Sequence, residues 1–499
     1  MIVFGVDGAE WDVIDGMIEN GDLPNFARMR DEGAWGHLLN PGPQVSPVVW
    51  TTFATGHFGR EHGILDFVYP FNEQAGKRPV DSTLRIEPAI WNLATRHDLE
   101  STVIGYFVSY PAEQINGKMI TDRAFSGVEG SHWPEKLAER SAQIKRQVLA
   151  ELEPVRKRFI PWDYAPEQAK DRNNPYYTSA RMVQGRLDNR IPVEEFLRRI
   201  TIRELDDVGD LFVTYSRIVD YVGHSLWFYH DWSDYENKPN DQDKRLLGGA
   251  IEESYRYVDE ILGEILDRYA EQANILLISD HGFGSATGNF QVARGRRDLL
   301  TGNHRPDGVL IAHGPAFRPG RIEGGTVMGI MPTLAALLGL PISDELPGSI
   351  FQDLLTDEFL DRMPPTYTPG YGDLADAGEQ LEIDRSVELQ EMEELRGLGY
   401  VDDGVQFSAG NGDRSYDFWG SSPNIIAFHL VGEVTYALIR GDAQAADAVM
   451  REVEQHSPEL KRRIIAGVDT KIDFFRDDVP GLDNLAPGKD EFVAKYRNR

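Results

Sequence analysis

Six acidic and imidazole side chains, spread over four short stretches of the chain, could bind metal if folding brought them together. They are Asp7, Asp220, His224, Asp280, His281 and His304. Three carboxylates and three imidazoles supply two sets of hard and borderline ligands, which suit zinc or manganese. Ser46 opens a Thr- and Trp-rich segment between the first two stretches and is a candidate nucleophile. The set indicates a two-metal phosphoester enzyme.

Two of these stretches come directly after apolar runs that are typical of buried strands. Asp7 follows residues 1–6, and Asp280 with His281 follows residues 274–279. Open α/β sheets place their ligands beyond the carboxyl ends of strands. A glycine just after each stretch lets the chain turn sharply there. Taken alone, Asp7 could equally cap the N-terminus of the next helix. The adjacent Asp280 and His281 have fewer structural explanations.

The other two stretches are weaker signals by themselves. Asp220 and His224 are four residues apart, which places both on one face of a helical turn. Alternatively, they lie on a loop that follows the predicted strand 211–216. As an isolated pair they would usually form an ordinary surface contact. His304 is also weak alone, so the prediction depends on the complete set.

Ser46 precedes Pro47 at a predicted helix start, where a serine usually caps the helix. A nucleophile at this place would gain from the helix dipole and from free backbone N–H groups. A bound metal would lower the pKa of its hydroxyl further. Deeper in the helix stand the alternative nucleophiles Thr51, Thr52 and Thr55. The remaining histidines of interest are interpreted as structural or supporting: His57, His62, His230 and His313.

Strand-like and helix-like patterns alternate over residues 1–125 and again from residue 211, which predicts a layered α/β sheet. Residues 131–205 interrupt this pattern with long charged side chains. They predict a mostly helical insertion, either a cap beside the active site or a surface excursion without a catalytic part. We therefore expect a catalytic domain over residues 1–400 and a helical extension over residues 405–499.

The C-terminal extension contains two predicted helices, at about 424–440 and 443–456. Ala446, Met450, Val453 and Pro458 have spacings that resemble the second half of a tetratricopeptide repeat. One such repeat cannot bury its own apolar face. We therefore expect these helices to pack on the catalytic domain or on a second subunit, so that a homo-oligomer is possible.

Composition limits the function further. The formal net charge of the 499-residue chain is −30, which disfavours a nucleic-acid scaffold role. There is no cysteine, so disulfides and a thiolate nucleophile are excluded. No apolar run approaches the roughly 18 residues needed to span a bilayer. The N-terminus starts directly in a predicted strand, without a signal-like segment. We expect a cytoplasmic protein without a transmembrane segment.

Several blocks of the sequence resemble the alkaline phosphatase superfamily, and most closely its type I phosphodiesterase/nucleotide pyrophosphatase branch. The blocks are Val6-Asp7-Gly8, Ser46-Pro47 through Trp50-Thr51-Thr52-Phe53-Ala54-Thr55-Gly56, Glu61-His62-Gly63-Ile64, Asp220-x-x-Gly223-His224, Ser279-Asp280-His281-Gly282, Gly302-Asn303-His304 and Pro332 to Gly339. The resemblance covers about residues 1–400 apart from the insertion. It implies an alkaline-phosphatase-like three-layer α/β/α sandwich.

The resemblance also implies two metal sites and a mechanism. One ion, zinc or alternatively manganese, would be held by Asp220, His224 and His304. The other would be held by the remaining three ligands, Asp7, Asp280 and His281, together with Ser46. Ser46 would attack phosphorus in line and form a phosphoseryl intermediate. The substrate would be a small-molecule or a glycan- or lipid-linked phosphoester.

Two departures from the family pattern bear on the substrate. Nucleotide pyrophosphatases usually use threonine as the nucleophile, and an asparagine after the His-Gly-Ile block steadies a phosphoryl oxygen. Here the nucleophile is serine, and no asparagine follows Ile64 in Leu65-Asp66-Phe67. Asn303, Arg305 or a backbone N–H could replace it. A sulfatase is disfavoured because Val48 and Trp50 stand where its formylglycine segment needs proline and arginine.

Three functions follow as hypotheses. The leading one is a metal-dependent hydrolase, a phosphodiesterase or nucleotide pyrophosphatase. The second is a transferase that passes a phosphoryl-linked head group to a glycan or lipid acceptor, since the same covalent intermediate serves both reactions. The third is a catalytically silent binding module, which the intact ligand set disfavours.

Overall fold

A computed structural model describes residues 1–72, 76–160, 177–235, 238–239, 241–286, 301–372, 385–397, 401 and 417–497. The strands are β1 (Ile2–Val6), β2 (Ala34–Leu39), β3 (Val68–Tyr69), β4 (Arg78–Pro79), β5 (Ser101–Ile104), β6 (Gly117–Ile120), β7 (His132–Trp133), β8 (Leu211–Ser216), β9 (Ile275–Ile278), β10 (Gly282–Ser285), β11 (Gly302–Arg305), β12 (Asp307–His313), β13 (Gly320–Arg321), β14 (Gly325–Thr326), β15 (Ile342–Ser343) and β16 (Tyr367–Thr368).

The α-helices are α1 (Trp11–Glu19), α2 (Pro24–Glu32), α3 (Ser46–Thr55), α4 (Gly59–His62), α5 (Ile90–Arg96), α6 (Leu137–Ala150), α7 (Leu152–Phe159), α8 (Tyr177–Glu204), α9 (Ile218–His230), α10 (Asp241–Leu247), α11 (Ala250–Tyr269), α12 (Ile330–Leu337), α13 (Asp357–Arg362), α14 (Arg385–Gly397), α15 (Pro423–Ile439), α16 (Ala443–His456), α17 (Lys461–Asp478) and α18 (Lys489–Arg497). None of the helices in the described ranges is long and apolar enough to cross a membrane.

A central sheet of ten strands positions the site. Its order is β13-β2-β12-β9-β1-β8-β5-β6-β7, with β14 also paired to β2. The five strands β9, β1, β8, β5 and β6 run parallel to one another. Because they are parallel, their carboxyl ends meet at one edge of the sheet. The strands that flank these five run in the opposite direction, since β12 is antiparallel to β9 and β7 is antiparallel to β6.

Successive side chains of a strand point to opposite faces of the sheet, so each face has its own hydrophobic core. Ile2, Phe4 and Val6 of β1 pack in one hydrophobic cluster with residues of α1, α2, α8, α9 and α11. Val3 of the same strand packs in the other cluster, with residues of α3, α5, α12 and the C-terminal helices. The predicted three-layer α/β/α sandwich is thereby confirmed, as is the helical character of the C-terminal region.

The predicted insertion at residues 131–205 is helical over α6, α7 and α8, and residues 161–176 lie outside the described part. The second half of α8 is not peripheral. Its residues Leu187, Ile191 and Phe196 are almost fully buried in the cluster that covers one face of the sheet. This segment therefore belongs to the helix layer beside α9. The domain boundaries at 131–205, 400 and 405 stay predictions, and residues 402–416 lie outside the described ranges.

The C-terminal helices pack on the catalytic domain, which is the first of the two predicted alternatives. The helix α15 lies against the loop at 40–45, which precedes Ser46. Gly432 allows this approach, because a β-carbon there would lie 2.6 Å from the α-carbon of Gly42. Lys471 Nζ on α17 donates a hydrogen bond to the carbonyl oxygen of Gly42 at 2.5 Å. The tetratricopeptide-like arrangement and the homo-oligomer stay predictions.

We expect the substitution Gly432→Ala to destabilise the fold. The new methyl group would meet backbone atoms, which cannot rotate away, so a cost of about 1–3 kcal/mol follows from overpacking. Gly16 on α1 is a matched control, since it is also helical but has open space around it. Gly16→Ala should stabilise by about 0.5–1 kcal/mol. Urea unfolding of both variants measures the difference, and equal midpoints would contradict the close approach of α15.

Candidate metal centre and nucleophile

The carboxyl-end edge of the sheet carries three of the predicted ligands. Asp7 follows β1, and Asp280 with His281 follows the neighbouring strand β9. The side chains converge there, since His281 Nε2 lies 3.3 Å from Asp7 Oδ1 and 3.3 Å from Asp280 Oδ2. All three residues are almost completely buried. Strand pairing alone therefore places this set together.

The other three ligands come from α9 and from the hairpin of β10 and β11. Asp220 and His224 occupy the first two turns of α9, so the helical alternative for this pair holds. Asp220 Oδ1 lies 3.2 Å from His224 Nε2 and 3.2 Å from His304 Nε2. The two imidazole nitrogens are 2.8 Å apart. His304 reaches this place because it pairs with Phe283 across the hairpin.

His281 lies between the two sets. Its ring stacks on that of His304 with centroids 3.5 Å apart. Two groups of possible ligand atoms lie within 4.8 Å of one another, and His281 belongs to both. One group also contains Asp7 and Asp280, as the resemblance implies, and the other contains Asp220 and His304. The two ligand sets that the resemblance implies therefore lie so close together that His281 can belong to either of them.

Backbone carbonyls orient the three imidazoles. The Nδ1 atoms of His224, His281 and His304 lie 3.1, 3.0 and 2.9 Å from the carbonyl oxygens of Gly302, Gly282 and Gln44. An Nδ1–H group that donates to a carbonyl leaves Nε2 with its lone pair available. In each ring Nε2 is the atom that faces the carboxylates. This arrangement is typical of histidines that bind metal through Nε2.

Burial of so many titratable groups shifts their protonation. Burial and the nearby carboxylate of Asp7 raise the pKa of Asp280 well above its usual value. Burial disfavours a charged His281, but Asp280 and Asp7 outweigh it and raise its pKa to about 10. Burial and His281 lower the pKa of His304 to about 4. Clustered carboxylates of this kind repel one another, and a cation among them would relieve the repulsion.

The donor set fits divalent metal. Asp220 Oδ1, Asp280 Oδ2 and His281 Nε2 are buried and have no hydrogen-bond partner among the described residues. Unsatisfied buried polar atoms cost free energy unless an ion or another ligand pairs with them. Mixed carboxylate and imidazole donors suit zinc, and also manganese.

Ser46 is the first residue of α3, and Val45 occupies the capping position. The hydroxyl of Ser46 therefore does not cap the helix. Instead Ser46 Oγ donates a hydrogen bond to Asp7 Oδ1 at 3.5 Å. The other carboxylate oxygen of Asp7 accepts a hydrogen bond from the Tyr215 hydroxyl. The candidate nucleophile thus lies beside the ligand cluster, at a helix N-terminus that favours an anion.

A profile of the type I phosphodiesterase / nucleotide pyrophosphatase family matches residues 1–315, which is more than half of the chain. The chain belongs to this family. The predicted resemblance is confirmed, and proteins of this phosphodiesterase family are hydrolases of phosphoester bonds. No curated protein sequence matches the chain.

Three solved structures resemble this family member in shape. Phosphonoacetate hydrolase of Sinorhizobium meliloti 1021 is 17% identical with a TM-score of 0.38, and the match covers 57% of each chain. The murine ectonucleotide pyrophosphatase / phosphodiesterase 5 is 16% identical, with a TM-score of 0.42 and coverage of 71% of this chain and 100% of that one. The human protein is 13% identical, with a TM-score of 0.41 and coverage of 73% and 99%. The chain thus spans little more than half the length of the hydrolase.

The two substrate residues predicted for this phosphodiesterase-family protein, Asn303 and Arg305, stay predictions. The cleft that Ser46 lines contains neither Asn303 nor Arg305. Arg305 lies 3.4 Å from Asp12 and 3.8 Å from Glu10, and lines a different cleft with them.

Sequence reasoning missed several residues that do line the Ser46 cleft. Three of them are Phe107, Arg123 and Arg217, which follow β5, β6 and β8 respectively. All three lie just beyond the carboxyl ends of parallel strands. The signal that identified Asp7 and Asp280 was therefore present for these residues as well.

Proposed function

We propose that this chain is a metal-dependent phosphodiesterase that acts through a phosphoseryl intermediate on Ser46. The observation that carries the proposal is the convergence of six buried ligands with the Ser46 hydroxyl at one edge of the sheet. Zinc is the favoured metal, because imidazoles make up half of the donor set, and manganese is the alternative. The substrate is a small phosphodiester, or one linked to a glycan or lipid.

The six side chains divide into two sets of three for two ions, and the ring of His281 lies close to both sets. Asp7, Asp280 and His281 would hold one ion next to Ser46, and Asp220, His224 and His304 would hold the other. Bound divalent ions would lower the pKa of the serine hydroxyl and neutralise charge on the phosphoryl oxygens. The protein's part is to fix these ligands through buried strand ends and carbonyl contacts.

Ser46 acts as the nucleophile. Its hydroxyl releases its proton to water, its oxygen attacks phosphorus to form an Oγ–P bond, and the bond from phosphorus to the leaving oxygen breaks with the electron pair kept by that oxygen. Asp7 accepts the hydrogen bond of the hydroxyl and so orients Oγ before attack. Water then hydrolyses the phosphoseryl ester and regenerates the serine. The buried position of Ser46 limits solvent access to the intermediate.

Metal removal tests the proposal. Protein stripped with a chelator should lose at least about 100-fold of its turnover of bis(4-nitrophenyl) phosphate. Zn²⁺ or Mn²⁺ should restore the activity, and elemental analysis should then find about two ions per chain. Fewer than one ion per chain together with no turnover would contradict the proposal. It would favour the silent binding module instead.

Product analysis separates hydrolysis from transfer. With an added alcohol acceptor, a hydrolase releases the phosphomonoester alone. A head-group transferase would also yield the ester of the added alcohol, since both reactions share the intermediate. Quantitative ³¹P spectroscopy of the products distinguishes the two outcomes.

A further inference from the structure

The cleft at Ser46 has a far wall made of aromatic and cationic side chains. Phe107, Arg123 and Arg217 stand beyond the ends of three neighbouring parallel strands, and Phe67 packs beside Phe107 with ring centroids 6.3 Å apart. A substituent of the phosphoester that extends from Ser46 along this cleft would meet these side chains. The chemistry of these side chains therefore indicates which substituent the cleft can bind.

Most charges of this wall are already compensated. Arg123 forms an ion pair with Glu391 at 2.6 Å, and Arg190 forms one with Glu194 at 2.7 Å. Asp122 accepts hydrogen bonds from the backbone N–H groups of the loop at 108–110, at 3.0 and 3.1 Å. Each of these charged groups has at least one partner within the protein, although Nε and Nη1 of Arg123 have no hydrogen-bond partner among the described residues. A ligand would have to displace such partners to bind them.

Arg217 differs from its neighbours. Its guanidinium lies over the ring of Phe107, 4.3 Å from the centroid, and forms no ion pair with any residue in the described ranges. Its Nε atom is buried and has no hydrogen-bond partner there. A guanidinium fixed on an aromatic face keeps its in-plane donors free for an oxyanion. Among the described residues, Arg217 is thus the arginine of the cleft without an ion pair, although the carboxylates of Asp122 and Glu194 still attract it from farther away.

We propose that Arg217 binds a negatively charged group, a carboxylate or a phosphate, on the substituent that stays on phosphorus. The inference rests on the proposed function and extends it to the substrate class. In a chain of net charge −30, an anionic substrate needs such a local cation to overcome the overall field. Arg217 therefore selects anionic over neutral diesters.

The position of Arg217 favours the distal part of the substrate over the phosphoryl oxygens. Tyr215 reaches Asp7 with its hydroxyl, and the guanidinium of Arg217 lies 5.9 Å from the centroid of the Tyr215 ring. The guanidinium of Arg217 and the carboxylate of Asp7 thus contact different parts of the Tyr215 side chain, its ring and its hydroxyl. A flat spacer between phosphorus and the anion fits against Phe107.

Two chromogenic diesters of equal shape test the inference. They are 4-nitrophenyl 4-carboxyphenyl phosphate and 4-nitrophenyl 4-carbamoylphenyl phosphate, which differ only in one charge. We expect the protein to prefer the carboxylate by about 10-fold or more in kcat/KM, mainly through KM, since charged hydrogen bonds are strong. Arg217→Gln should abolish this preference and change the amide ester by less than about twofold. Arg217→Lys should retain part of it.

The matched control is Arg362→Gln. Arg362 also lies over an aromatic ring, 6.0 Å from the centroid of Phe359, but does not line the cleft. This variant should keep the full preference. Equal loss on both esters in Arg217→Gln would place the guanidinium on the scissile phosphoryl group and overturn the inference. Turnover of both esters by the unaltered protein without preference would overturn it too.

A binding measurement keeps this test separate from catalysis. Titration calorimetry with Ser46→Ala protein compares 4-carboxyphenyl phosphate with 4-carbamoylphenyl phosphate. We expect tighter binding of the carboxylate, and loss of that difference when Arg217→Gln is added. If no diester is hydrolysed, the proposed function fails, while this difference still supports or overturns the role of Arg217.

Discussion

Replacement of Ser46 by alanine is expected to lower kcat for bis(4-nitrophenyl) phosphate at least about 1000-fold, with metal content unchanged. The reason is that the substitution removes the oxygen that forms the bond to phosphorus. Among the residues that the structure describes, only the carboxylate of Asp7 accepts a hydrogen bond from the Ser46 hydroxyl, at 3.5 Å. Metal analysis of the same sample separates loss of the nucleophile from loss of the site. Full activity in Ser46→Ala would exclude Ser46 as the nucleophile.

The alternative nucleophiles serve as controls for this experiment. Thr51 and Thr55 donate hydrogen bonds to backbone carbonyls one turn earlier in α3, at 2.6 and 2.8 Å. Thr52 pairs with His62 at 3.2 Å. Their hydroxyls therefore have structural partners. Thr55→Val should keep turnover within a few-fold of the unaltered protein, because a helix hydroxyl bonded to a carbonyl contributes only about 1 kcal/mol.

Replacement of His281 by alanine is expected to remove both ions, whereas His224→Ala should remove one. His281 Nε2 lies within 3.3 Å of two carboxylates, and its ring stacks on His304, so it belongs to both ligand groups. His224 contacts only the group of Asp220 and His304. Activity should fall at least about 100-fold in both variants, because a two-metal site needs both ions.

Elemental analysis after reconstitution distinguishes these stoichiometries. His313 is the matched control. It lies at the end of β12 away from the site, and its Nε2 atom pairs with Glu32 at 3.2 Å. His313→Gln should retain about two ions per chain. Loss of a single ion in His281→Ala, as in His224→Ala, would show that His281 is not shared. The two ligand sets would then be separate, as the sequence resemblance implies.

The convergence of the metal ligands could be predicted because it follows from strand order. Asp7 and Asp280 end adjacent parallel strands, and apolar runs identify such strands in sequence. The sharing of His281 could not be predicted, because it depends on how closely the β10–β11 hairpin folds back. The helical position of Asp220 and His224 was one of two alternatives, and spacing alone could not decide between them.

The substrate side of the site was harder to predict. Arg305 was a reasonable phosphate ligand by chemistry, but Glu10 and Asp12 lie beside it in the folded chain. Arg217 carries the same charge and has no such partner among the described residues. Which arginine remains without an ion pair depends on contacts between distant segments. The spacing of residues in the sequence does not reveal those contacts.

The packing of α15 and α17 against the loop at 40–45 connects the C-terminal helices to the predicted metal site. That loop supplies the carbonyl oxygen of Gln44 that orients His304, and the Asn40 side chain donates to the backbone oxygen of Asp280 at 3.2 Å. The C-terminal helices thus support the loop whose contacts orient two predicted metal ligands, His304 and Asp280. Natural selection on activity would therefore also act on Gly432 and Lys471, which hold this packing. A truncated protein without the C-terminal helices would not be active.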